Sequence, residues 1–215
     1  MDKKSPGSPD PKLKKHLKKS VKIIFDSFGA KAEKLLFEVM PQKVAHLDQL
    51  YKKSPVVCPE KLVKVEGGAK CNSEVKKFMR VLKREIFELL DLLNTMRMWV
   101  QLNIPEISDG NNFGVNVQED IVSMLKSGRA SAMSVLDTTV RYFATRAKLL
   151  SKSVKYPLLE DYKRSVEELD SKEWMMLRNC CLDLRNNYAI LYDLITKNLE
   201  KIRKPRGEGN HQSLY

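Results

Sequence analysis

Leu13, Leu17, Val21, Ile24, Phe28, Ala32, Leu35 and Val39 follow one another by threes and fours with charged residues between them. That spacing draws a single apolar stripe along an α-helix starting near Pro11. Pro41, which lacks a backbone donor, is predicted to kink or end this helix, and Val44, Leu47 and Leu50 support a further turn or two before Ser54-Pro55. A second helix carries Val75, Phe78, Leu82, Ile86, Leu89, Leu93, Met96 and Val100 without a gap, behind Ser73 as its cap. At ~1.5 Å per residue it would be a rod of ~46 Å. A third runs from Val117 through Ile121 and Met124, weakens at Gly128, recovers at Leu136, Val140, Phe143, Ala147 and Leu150, and closes at Pro157. A fourth runs from about Leu159 through Val166, Leu177, Leu184, Tyr188 and Ile195 to Ile202, and Pro205 stops it. No stretch needs a sheet. The fold class predicted is all-α, an antiparallel four-helix bundle of long helices over residues 11–204, with a linker at 54–72, a loop at 104–119, a disordered arm at 1–10 and a flexible tail at 205–215.

The loop is the stretch this pattern does not explain. Pro105 biases Ile104 away from helical angles, and Gly110 and Gly114 permit positive φ, so a helix should stop here. Asp109-Gly110-Asn111-Asn112 is a turn former, and Phe113 places an aromatic at an otherwise polar tip. Joining two helices requires far less.

Composition changes the picture in one respect. The chain has 215 residues and a net charge of +12, which invites a nucleic-acid partner through counterion release. Much of that charge is the N-terminal cluster Lys3, Lys4, Lys12, Lys14, Lys15, Lys18, Lys19 and Lys22, without interleaved aromatics. A solvated helix face and basic arm are therefore favoured over a nucleic-acid or chromatin binding protein, which stands as the alternative. No apolar run approaches the ~20 residues of a membrane span and no signal-like segment opens the chain, so an intracellular, membrane-free protein is expected. Cys58, Cys71, Cys180 and Cys181 show no C-x-x-C spacing, and the adjacent pair Cys180 and Cys181, in a helical stretch, is expected to be reduced, partly buried thiols.

Candidate chemistry is sparse. The one Glu-x-x-His match, Glu208 to His211, lies in the glycine-rich tail rather than on a core-facing helix, and His16 and His46 are expected on the surface and in packing respectively. No phosphate loop, dinucleotide fingerprint or nucleophile elbow occurs. The expectation is no catalytic residue, no metal and no cofactor. Met96, Met98, Trp99, Trp174, Met175 and Met176 are assigned to core or subunit contact. Trp99 beside Val100, Tyr142 beside Phe143 and Tyr192 beside Leu191 suggest a second buried face and hence self-association.

Asp109-Gly-Asn-Asn-Phe-Gly-Val115 resembles the activation loop of the REG, or 11S, proteasome activator family. Thr95-Met-Arg-Met-Trp-Val-Gln-Leu102 resembles that family's second helix. Tyr142-Phe-Ala-Thr-Arg-Ala-Lys-Leu-Leu-Ser-Lys152, Lys155-Tyr-Pro157 and Glu160-Asp-Tyr162 are most similar to its gamma type, Leu184-Arg-Asn-Asn-Tyr188 and the run from Lys197 to Arg206 to the end of its fourth helix, and Pro41-Gln-Lys43 to its first. The resemblance covers roughly Ser73 to Tyr215. It implies a heptameric ring of identical protomers, in the nucleus and possibly the cytoplasm, docking on the α-subunit ring of the proteasome core particle and opening its gate without ATP. On that resemblance the activation loop is Ser108, Asp109, Gly110, Asn111, Asn112, Phe113 and Gly114 with Asn111 as the gate-opening asparagine, and the docking tail is Ser213, Leu214 and Tyr215 with its free carboxylate. Two departures stand out: Glu106 replaces the family's usual arginine after the loop proline, and Ser108 its usual glutamate before Asp-Gly. The linker is also shorter than the family's insert.

Overall fold

The computed structural model describes residues 11–59, 70–107, 110 and 112–206. It is built from helices: α1 (Pro11–Lys34), a π-helical turn (Leu35–Val39), α2 (Met40–Lys53), α3 (Ser73–Leu102), α4 (Phe113–Lys155), α5 (Glu160–Lys197) and α6 (Leu199–Arg203). The first three form one rod, and α5 with α6 another, so four rods pack into an antiparallel bundle. Among the described residues there is no strand, and no helix is long and apolar enough to cross a membrane. The core is continuous along the bundle, with Leu36, Met40, Leu82, Leu89, Met96, Ile121, Leu125, Tyr188 and Ile195 fully enclosed.

Pro41 does not end the first rod, one of the two outcomes expected from its missing donor. The turn before it is widened, with the Met40 N–H reaching Leu35 O five residues back, a π-type bond. Pro41 directly follows that widened turn, and the helix runs on through it. The extra residue shifts the apolar stripe onto Ala32, Leu36, Met40 and Leu47. Lys43, two residues on, ties this rod to α3: its Nζ lies 2.6 Å from Glu85 Oε2 and also pairs with Glu88. Burial opposes the charge on Lys43, but the hydrogen bonds to those two carboxylates outweigh it and its pKa is raised. His46, expected in packing, is exposed, 3.5 Å from Glu85. Toward the N-terminus the stripe is uncovered within one chain, and Val21 and Ile24 are both exposed.

The linker ends are largely exposed, as composition implied, with Val56 and Val57 facing solvent, yet they are anchored at a few points. Asp170 on α5 accepts from Tyr142 Oη (2.8 Å), Arg146 Nε (2.8 Å) and Nη2 (3.2 Å), and Asn72 Nδ2 (3.0 Å). Arg146 Nη1 donates to Lys70 O at 3.0 Å, and Trp174 Nε1 to Pro55 O at 2.9 Å. Both ends of the linker are thus pinned on the α4/α5 seam, and Cys58 is buried beside Asn72. Asn72, not Ser73, caps α3, accepting from the Val75 N–H at 3.1 Å. Burial, then the neighbouring Asp170 charge, pushes the Tyr142 hydroxyl pKa upward, so it stays a donor. Trp99 and Tyr142, offered above as signs of a second buried face, are enclosed within the chain itself. Residues 1–10 and 60–69 lie outside the described residues.

Candidate loop and tail-root site

The far end of the bundle from the linker brings the α3–α4 loop together with the last helix. α3 closes at Asn103, whose Nδ2 donates to Trp99 O at 2.8 Å, and Pro105 keeps the helix from resuming. Ile104 and Pro105 are half-buried; Glu106 and Ile107 are exposed. Gly110 has φ +115°, where a side chain would be strained.

The loop ends earlier than expected. Helix α4 starts at Phe113, so residues 113–119 belong to a helix and not to the loop. The Asn116 N–H already bonds Asn112 O at 2.9 Å. A glycine in a first turn is a weak reason to start a helix; here packing supplies the stronger one. Gly114 is buried against Pro205, and a Cβ added to it would overlap the Pro205 carbonyl oxygen and sit 2.7 Å from both its carbonyl carbon and Cα. Only a residue without a side chain allows this approach. Phe113, expected at the loop tip, is the first residue of α4, and Lys201 Nζ sits 4.8 Å from its ring centroid. Asn112 Oδ1 accepts from Arg206 Nη2 at 3.2 Å.

One helical turn further, Gln118 is 0 % exposed. Its Nε2 donates to Asn103 O at 2.9 Å and to Ile202 O at 2.8 Å. One amide therefore joins the end of α3, the start of α4 and α6. Its Oε1 has no partner among the described residues, but flipping the amide would set that oxygen against two carbonyls, so the orientation is determined.

Of the loop residues assigned from the sequence, Asn112, Phe113 and Gly114 are thus brought against the root of the tail, and Gly110 forms the bend. Ser108, Asp109 and Asn111 lie outside the described residues, as do Ser213, Leu214 and Tyr215 and the Glu208/His211 pair. The sequence reading missed Gln118, Lys201, Pro205 and Arg206. Gln118 carried a signal, since Gly114, Gln118, Ile121 and Leu125 share one helix face and it is the polar member. The others carried none that periodicity could read. Among the described residues no group of three or more His, Cys, Asp or Glu side chains could hold a metal. The helical thiols are inert in character: burial pushes Cys180 up to about 12 and Cys181 up to about 11.

Comparison with known proteins gives this arrangement a lineage. Residues 68–212 match the family model for the proteasome activator PA28, C-terminal region. Subunit 3 of the proteasome activator complex from Homo sapiens is 48% identical over 149 residues, which is 69% of this chain and 58% of that protein. The Gallus gallus protein matches with the same figures. The matched stretch therefore spans less than two thirds of those relatives. Among solved structures, the PA28 11S subunit of the Plasmodium falciparum proteasome is similar with TM-score 0.81 and 28% identity, covering 94% of this chain and 100% of that one. A chain in an archaeal 20S proteasome–PA26 complex shares the fold at TM-score 0.71 and 13% identity, over 87% of this chain and 92% of the other. The loop and tail root described above lie inside the matched region, and the chain belongs to the proteasome activator PA28 family.

Proposed function

We propose that this protein is a non-catalytic, ATP-independent activator of the proteasome core particle, working as a ring of about seven copies. The observation that carries the reading is the meeting of the loop with the root of the C-terminal tail at one end of a rigid bundle, in a PA28-family chain. In it, Ser213, Leu214 and Tyr215 enter pockets on the α-subunit ring. The loop from Ser108 to Gly114 then presses on the gate, with Asn111 in contact. A short tail segment gives a weak single contact, but copies on one ring act at high effective concentration and together hold the dock.

The uncovered apolar stripe of α1, with Val21 and Ile24 exposed, is a surface left for neighbouring protomers. Exposed Glu106 reverses one charge at the loop base, so contacts between protomers there differ from those of relatives carrying arginine. Nuclear residence is part of the proposal, on the likeness to subunit 3 and the basic N-terminal segment; a fluorescent fusion confined to the cytoplasm would refute it. The main test is sedimentation of the purified chain together with hydrolysis of a fluorogenic peptide by a eukaryotic core particle. A ring of about seven copies that raises hydrolysis is expected, and a monomer without stimulation would overturn the reading. Substituting Asn111 should abolish stimulation and leave docking intact, whereas deleting Leu214 and Tyr215 should abolish both.

A further inference from the structure

The loop and the tail root are not merely neighbours. Three kinds of contact join them, made by the first two turns of α4 and by Asn112 just before it. Gly114 admits the Pro205 backbone to a distance no side chain would allow. Gln118 donates simultaneously to Asn103 O, where α3 ends, and to Ile202 O, in α6. At the solvent edge Lys201 covers the Phe113 ring, and Arg206 donates to Asn112. Within its rod the tail root follows a break in the helix. α5 ends at Lys197, Asn198 leaves helical geometry at φ −109° and ψ 13°, and its Nδ2 closes back on Leu194 O at 2.8 Å. The short α6 begins after that break and packs on α4 as well as on the end of α5.

From this we infer that Gly114 and Gln118 are positioning residues that lock the tail root to the start of α4, so that tail and loop form one lever. Docking force on the tail passes through Pro205 and Ile202 to the first turn of α4 and sets the height of the loop over the gate. The lever rests on the activator reading above. Its distinctive consequence is a separation of effects: breaking the clamp leaves the tail free to dock but leaves the loop without a fixed height.

The test uses the full chain and compares Gly114→Ala with Gly128→Ala, a second glycine on the same helix. A Cβ at Gly128 would meet only Leu93 side-chain carbons at 3.8 Å, ordinary contact. Ring mass, affinity for a eukaryotic core particle and peptide hydrolysis at saturating activator are measured for each. Gly128→Ala is expected to match the parent in all three. Gly114→Ala should keep the ring and bind within about threefold of the parent, while stimulation at saturation falls about tenfold. The double variant Gly114→Ala/Pro205→Gly should be no worse than Gly114→Ala alone, because glycine at 205 frees the backbone that the added Cβ meets to move aside.

Unchanged saturating stimulation in Gly114→Ala, a loss recovered by adding more activator, or strictly additive losses in the double variant would each overturn the lever. Should Gly114→Ala fail to form a ring, Gln118→Met, which preserves side-chain bulk, must show the same split between binding and stimulation. Amide exchange gives a readout independent of the core particle: in Pro205→Gly, residues 113–118 should exchange about tenfold faster than in the parent, and unchanged exchange would refute the clamp. A parent chain that neither docks nor stimulates would instead defeat the activator reading and take the lever with it.

Discussion

The two ends of the bundle are fastened in opposite ways. At the linker end a carboxylate, Asp170, is enclosed at 8 % exposure and satisfied by a guanidinium and a phenol from α4 and an amide from the cap of α3. At the loop end the fastening is a glycine against a proline backbone, one neutral amide and two contacts at the solvent edge. The first arrangement ties up groups that would be costly to leave unpaired, so it resists being undone. The second involves little energy and much geometry: it determines where atoms sit, not how strongly they are held. A protein that must pin a chain crossing needs the former, and one that must present a loop at a set height needs the latter.

The largest expected effect comes from attacking the linker end. Asp170→Ala strands Arg146 at 4 % exposure and removes the acceptor shared with Tyr142 and Asn72. Losing one partner of a buried pair costs about 3–5 kcal/mol, so the denaturant midpoint should fall steeply. A loss below about 1 kcal/mol, the range of an exposed pair, would show that this end is not held as described.

At the loop end the order of effects should reverse. Gln118→Met leaves the Asn103 and Ile202 carbonyls without their donor, and the two lost neutral hydrogen bonds contribute about 0.5–1.5 kcal/mol each. Its stability change should be smaller than that of Asp170→Ala while its effect on stimulation is larger. Equal rankings in both assays would erase the distinction between the two ends.

Glu173, close to the linker-end network and itself 8 % exposed, sharpens the comparison through pH. Burial is the main cause raising its pKa above the ordinary carboxylate value, with the Asp170 charge adding to it and Lys172 opposing. A carboxyl raised in the folded state binds its proton more tightly there than when unfolded. It therefore opposes folding increasingly as pH rises from the ordinary carboxylate range through its folded pKa, and the penalty is complete above that. Glu173→Gln should accordingly raise the melting temperature at pH 7 and change it little at pH 4. A gain as large at pH 4 would mean packing, not ionisation, is responsible.

The smallest effect is expected from Lys201→Ala. An exposed cation–π contact contributes about 0.5–1 kcal/mol, so thermal stability should barely move. Saturating stimulation should still fall measurably if the solvent edge of the clamp helps to position the loop.

Much of this molecule was legible along the chain because helices announce themselves locally. A stripe at threes and fours, bounded by Pro55, Pro105, Pro157 and Pro205, determined an all-α chain of four rods and left the stretch around Gly110 as the anomaly. The match of Pro41-Gln-Lys43 to the family was legible as well, but not what it does. Only the folded chain shows the widened turn that carries Pro41 through and the pairing of Lys43 with Glu85 at 1 % exposure. Tertiary structure alone also decided that α4 starts at Phe113, that Asp170 gathers Asn72, Tyr142 and Arg146, and that Gln118 reaches Ile202. The physical reason is the same in each case. Periodicity and backbone restriction act over one or two turns, whereas a buried donor or carboxylate must be satisfied by whatever chain is near it in space. The Asp170 partner Asn72 lies 98 residues away, and the Gln118 acceptor Ile202 lies 84 away.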